Sequence, residues 1–145
     1  MNLLQIQIAH SEEDIKRCFS IRKKVFVEEQ GVPLSIEIDD HDQSATHLLV
    51  SQNGQAIGAG RFRWYDDKKT IKVERICMLP THRGQGNGRE LMQKVEEFAI
   101  QQKATNLLLN AQVTVLPFYE KLGYEQCSEE FMDAGIAHVS MQKNI

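Results

Sequence analysis

Leu4, Ile6 and Ile8 alternate with Gln5 and Gln7, and this period of two predicts a strand with one apolar face. Past Ser11 the period lengthens. Ile15, Cys18, Phe19, Arg22, Val25 and Phe26 recur at helical spacing and give a mostly apolar stripe. Ser11 is a good N-cap, and Glu12, Glu13 and Asp14 fill the first turn, where the helix dipole favours negative charge. Gly31 and Pro33 end that helix, and an acidic loop through Glu37, Asp39, Asp40 and Asp42 follows. Strands are predicted over 47–52 and 55–65, joined by the two-residue hairpin signal Asn53-Gly54. Asp66, Asp67, Lys68 and Lys69 make the next turn, into a strand over 72–79.

Leu91, Met92, Val95, Phe98 and Ala99 mark the buried stripe of a helix over 88–103. A short buried strand is expected over 106–111, then a short helix over 116–122 stopped by Gly123. Strands over 124–128 and 136–142 close the chain, with Asp133-Ala134-Gly135 turning between them. The order β-α-β-β-β-α-β-α-β-β predicts an α/β layer fold around a mixed sheet. At 145 residues, with no repeat, low-complexity tract or linker, residues 1–145 read as one domain.

Composition narrows the function classes. A net charge of −3, from 17 basic and 20 acidic residues, gives no nucleic-acid footprint. No apolar run approaches the roughly 20 residues that span a bilayer, and residues 1–8 lack the order of a signal peptide. Cys18, Cys77 and Cys127 are widely spaced among apolar neighbours and read as reduced thiols of a cytoplasmic protein. Asp39, Asp40, His41, Asp42 and His47 match neither a calcium loop nor a familiar zinc set, so a solvated acidic loop and no metal are expected.

The chemistry concentrates in Arg83-Gly84-Gln85-Gly86-Asn87-Gly88, between a predicted strand and a predicted helix. Glycines there let backbone approach a ligand, and the helix N-terminus behind them suits a phosphate or pyrophosphate. The loop lacks the Gly-Lys-Ser/Thr end of a nucleotide P-loop, and it falls too late in the chain for a dinucleotide fingerprint. Ile76-Cys77-Met78-Leu79-Pro80 followed by this loop resembles the acyl-coenzyme A motif of the GNAT N-acetyltransferase superfamily. Pro117-Phe118-Tyr119-Glu120-Lys121-Leu122-Gly123-Tyr124 resembles its second signature, in the right order and on the right element types. Within the superfamily, Val25-Phe26-Val27-Glu28-Glu29-Gln30, and Asp133-Ala134-Gly135-Ile136 with His138, resemble the small ElaA-type acyltransferases.

That resemblance implies a three-layer GNAT-like fold with a mostly antiparallel sheet, and transfer of an acetyl group from acetyl-coenzyme A to a primary amine. Backbone groups of Ile76, Cys77 and Met78 would pair with the pantetheine arm, with Asn110 helping to hold it. Gly84, Gly86 and Gly88, with Arg83, Gln85 and Asn87 in the same loop, would cradle the pyrophosphate, and Arg89 would reach a peripheral phosphate. Phe118 belongs to the same binding surface. Tyr119 would be the general acid for the departing thiolate, against the plainer reading of an aromatic packing beside Phe118. Glu74 is the candidate general base, against an ion pair with Arg61 or Arg63. Glu29, Gln30 and His138 are candidates for the acceptor pocket, His138 against the plainer reading of a hydrogen-bonded core histidine. Cys77 has no base adjacent in sequence, so direct transfer is expected rather than an acyl-enzyme. The expected partner is a small-molecule or peptide amine, with neither nucleic acid nor membrane, and a homodimer is allowed. The alternatives are a different acyl group, or a module that senses acyl-coenzyme A without turnover.

Overall fold

Ser11 Oγ accepts the backbone N–H of Asp14 at 3.0 Å, and from that cap α1 runs over Glu12–Arg22. In the computed structural model, which describes residues 3–65 and 68–145, the helix does not stop there. It widens into a π-helical segment, Lys23–Glu29, and the chain turns away at Gly31, whose φ is +74°. π-helical turns of this kind are rare and occur mostly at functional sites. This one carries Val25 into the interior and leaves Glu29 and Gln30 at its far end.

The strands are β1 (Leu4–Ile8), β2 (Thr46–Gln52), β3 (Gln55–Trp64), β4 (Thr70–Met78), β5 (Asn106–Gln112), β6 (Glu125–Gln126), β7 (Phe131–Asp133) and β8 (Ile136–Asn144). They form one sheet in the order β1-β2-β3-β4-β5-β8-β6, with β7 also paired to β8. β4 and β5 are parallel, and the other pairs are antiparallel. α1 covers one face, where Cys18, Ile21 and Val25 pack on Leu49, Ala59 and Cys77. Helices α3 (Asn87–Gln101) and α4 (Leu116–Lys121) cover the other, where Leu91, Met92, Val95 and Tyr119 meet Val73, Met78, Leu109 and Val139. The result is the expected three-layer architecture.

One expectation about the strands needs correction. The closing pair of strands is a trio: β6 is two residues long, and β7 forms a hairpin with β8 through Ala134 (φ +51°) and Gly135 (φ +76°). Positive φ at both turn residues is the geometry that matches the twist of a hairpin. Asp66 and Asp67, read as part of a turn, lie outside the described residues.

The acidic loop is the larger surprise, because Glu37, Asp39 and Asp42 turn inward while Asp40 stays exposed. It contains α2 (Leu34–Glu37) and a 3₁₀ turn over Asp40–Gln43, and it brings its carboxylates onto buried arginines. Arg22 and Arg61 are fully buried. Arg22 pairs with Glu37 at 3.0 Å and with Asp42 at 2.7 Å, and Arg61 pairs with Asp39 and Asp42, both at 2.7 Å. Arg75 adds Glu37 at 2.7 Å and Asp39 at 3.2 Å. Burial pushes the Asp42 carboxyl up, but hydrogen bonds from Arg22, Arg61 and the Asp39 N–H outweigh it and hold the group well below the usual carboxylate range. A guanidinium buried in mid-strand requires such counter-charges, and the loop supplies them.

Candidate active site

The site begins with a defect in β4. The register with β3 runs Ala59↔Cys77 and then Arg61↔Glu74, so Arg75 and Ile76 together oppose Gly60, and Arg75 has φ +60°. That is a β-bulge. On the other side, β4 pairs with β5 only as far as Val73↔Leu109. Beyond that point residues 74–78 and 110–112 have no ladder between them, and the sheet splits. The backbone edge of Ile76, Cys77 and Met78 therefore faces a gap that an extended ligand can enter as an added strand.

At one end of the gap lies the glycine loop. Gly84 and Gly86 have φ of +74° and +84°, and a Cβ built on either would meet nothing within 4 Å. The loop is thus an open concavity. Gly86 is the N-cap of α3, whose first amides face that space with the positive end of a 15-residue helix. Asn87 is buried, and its amide donates to the His82 carbonyl at 3.2 Å. Gln85 donates likewise to Thr81 O at 3.3 Å. Both side chains therefore serve the shape of the loop and leave only backbone for an anion. Phe118 stands against Gly88, where a Cβ would come 3.4 Å from its ring.

Arg83, expected beside a phosphate, is engaged by a carboxylate of its own chain. Its two terminal nitrogens each lie 2.7 Å from a carboxylate oxygen of Glu29, and its Nε donates to Met78 O at 3.0 Å. The hydrogen bonds from Arg83 hold the Glu29 carboxyl below its ordinary value. Glu29, expected in the acceptor pocket, therefore ties the π-helical segment to the glycine loop. Arg89 and Lys121 both line the cleft, and neither pairs with a carboxylate among the described residues.

The cleft has a volume of about 1360 Å³ and reaches from the loop through the split to the far end of β8. That exceeds the roughly 300–1,000 Å³ of a site for one small ligand. Tyr119 sits beside the split, 9% exposed, edge-on to Phe118 at 5.0 Å and to Tyr124 at 5.8 Å. Its hydroxyl makes no hydrogen bond to another described residue. Burial, with a smaller contribution from Cys77, pushes the phenol up to about 12, so it holds its proton at neutral pH. Burial pushes the Cys77 thiol up to about 12 as well, and Cys77 packs into the α1 cluster. A protonated thiol is a poor nucleophile.

Glu74 falls on the opposite face from Ile76 and Met78, because the bulge resets the alternation that would have put them together. Its carboxylate lies 2.8 Å from Arg63, 3.2 Å from Arg61 and 3.8 Å from Lys72. Burial raises its pKa, but Arg63, Arg61 and Lys72 outweigh burial and hold it below the ordinary value. A carboxylate bound this way is a weak proton acceptor. Glu74→Gln is expected to cost about 1.5–3 kcal/mol of stability, read from the melting temperature, with turnover per folded molecule falling less than about tenfold. A larger loss of turnover at unchanged stability would restore Glu74 as the base.

The end of the cleft away from the loop is built from the alternate positions of β5 and β8. Asn110 Oδ1 accepts from Ser140 Oγ at 2.7 Å, and Gln112 Nε2 donates to Gln30 Oε1 at 2.9 Å across the mouth of the split. His138 pairs in register with Gln112 and lines the same cleft. Gln112 was missed in the sequence, although strand alternation from Asn110 places it on the same side.

A split between two parallel strands, with a glycine loop at a helix N-terminus beside it, can take up an extended thioester cofactor. Residues 6–145 match the family model described as Acetyltransferase (GNAT) domain. The chain belongs to the GNAT acetyltransferase family. It is 44% identical over 138 residues to the uncharacterized N-acetyltransferase YjcF of Bacillus subtilis, covering 94% of this chain and 97% of that protein. It is 27% identical over 142 residues to protein ElaA of Escherichia coli, covering 94% and 93%. The crystal structure of a putative N-acetyltransferase from Lactobacillus plantarum superposes with a TM-score of 0.89 at 28% identity, covering 97% of each chain. This GNAT chain is an acyl-coenzyme A-dependent N-acetyltransferase. No helix among its described residues is long and apolar enough to cross a membrane.

Proposed function

We propose that this GNAT protein transfers an acetyl group from acetyl-coenzyme A to the primary amine of a small molecule or peptide, directly, with both bound together. The observation that carries this reading is the split of β4 from β5, open at one end to a phosphate-shaped loop and at the other to a polar acceptor pocket. The pantetheine arm lies along Ile76 to Met78, and the amides of Gly84, Gly86 and Gly88 hold the pyrophosphate with Arg89 outside them. The amine attacks the thioester carbon, and a backbone N–H near Met78 stabilises the oxyanion. As the carbon–sulfur bond breaks, Tyr119 gives its proton to sulfur. The Cys77 thiol, which burial keeps protonated, supports direct attack over an acyl-enzyme.

The cofactor site is tested at Gly86. Asn tolerates positive φ better than other side chains and is a favourable N-cap, so Gly86→Asn keeps the loop while filling the concavity. Acetyl-coenzyme A affinity by calorimetry is expected to fall at least tenfold, with the melting temperature within a few degrees of wild type. Undiminished affinity would remove the loop from the site.

A further inference from the structure

Direct transfer needs a group that takes a proton from the incoming ammonium, and Glu74 is a poor one. His138 is better placed. Its Nδ1 lies 2.6 Å from the carbonyl oxygen of Ile136. A carbonyl only accepts, so Nδ1 carries the hydrogen, and in the neutral ring Nε2 is the nitrogen with the open lone pair. No described residue takes that Nε2 as a hydrogen-bond partner. The ring is held flat on Phe131, centroids 6.0 Å apart at 22°, so its orientation is fixed from two sides. It lines the cleft on the acceptor side, next to Gln112 in register, with neutral Gln30 opposite and Asp133 of β7 as the neighbouring carboxylate.

We propose that His138 is the general base of the acetyl transfer, a role that rests on the acyl-transfer reading above. Nε2 takes one proton from the acceptor ammonium and releases it to solvent. The freed amine forms the carbon–nitrogen bond, the carbonyl electrons move to oxygen, and their return breaks the carbon–sulfur bond. The thiolate takes the Tyr119 proton, and the second amine proton, lost from nitrogen, restores the phenol.

The test compares two nucleophiles. Aliphatic primary amines are ammonium ions at neutral pH, whereas hydroxylamine is already the free base. His138→Gln is expected to lower thiol release with the aliphatic amines about 100-fold, while hydroxylamine loses less than about fivefold and acetyl-coenzyme A affinity is kept. Equal losses with both nucleophiles, or none with either, would overturn the assignment, as would wild type that accepts hydroxylamine alone. Nitrogen-15 spectra of the wild-type ring give a reading independent of turnover and of the variant's folding. The hydrogen is expected on Nδ1, and a hydrogen on Nε2 would overturn the role. Wild type that binds acetyl-coenzyme A yet releases no thiol with any nucleophile would sink the acyl-transfer reading itself, and this assignment with it.

Discussion

Arg61→Met is expected to cost about 3–5 kcal/mol and to lower the melting temperature by about 10 °C. Arg61 is fully buried in β3, and its guanidinium is shared by Asp39, Asp42 and Glu74. Removing it leaves carboxylates buried without part of their counter-charge, which costs far more than an exposed ion pair is worth. The pH dependence gives a second signature. Asp39, Asp42 and Glu74 titrate below their ordinary values in the folded protein. The unfolded chain therefore binds more protons as pH falls, and the stability these groups confer is present above about pH 4 and lost below it. Wild type should lose melting temperature steeply between pH 5 and 3, at an approximate window set by those ordinary values, and Arg61→Met should lose it less steeply. A melting temperature within about 2 °C of wild type, with the same acid slope, would show that the network contributes nothing.

Tyr119→Phe is expected to lower kcat by about 10²–10⁴ while acetyl-coenzyme A affinity stays within about threefold. The substitution removes one oxygen that makes no hydrogen bond to a described residue, and it leaves the edge-on contacts to Phe118 and Tyr124 in place. Stability should therefore hardly change. This separates the acid from the packing aromatic, since Phe fills the packing role as well as Tyr. With the phenol pushed up to about 12, the proton it donates is retained through pH 10, so Tyr119 should impose no alkaline limb on kcat across the neutral range. Full activity in Tyr119→Phe would leave the residue only its place in the core.

Much of this was legible in the residue pattern. Period-two and period-3.6 stretches placed the main strands and helices, and the spelling of the glycine loop with Phe118-Tyr119 pointed to the family. What escaped was set by tertiary context. Arg75 takes positive φ with no glycine to announce it, so where the bulge falls, and with it the face that Glu74 takes, left no local signal. Glu37, Asp39 and Asp42 read as a wet loop because their partners Arg22 and Arg61 lie on a helix and a strand far along the chain. Charge alone does not say which face will be buried. Arg83 and Glu29, 54 positions apart, were each assigned to a ligand, and their pairing with one another was not foreseen. Gln112 was within reach of the alternation rule. The tautomer of His138 was not, since it depends on a carbonyl placed by the β7–β8 hairpin.

The central claim is that the split sheet performs acyl transfer. Its most direct measurement is thiol release from acetyl-coenzyme A over a broad panel of primary amines, with each product identified by mass spectrometry. Thiol released in step with an N-acetylated amine, and lost in Tyr119→Phe while cofactor affinity persists, is the predicted result. Tight binding of acetyl-coenzyme A with no amine acetylated across the panel would contradict it, and would make the cleft a sensor of the cofactor.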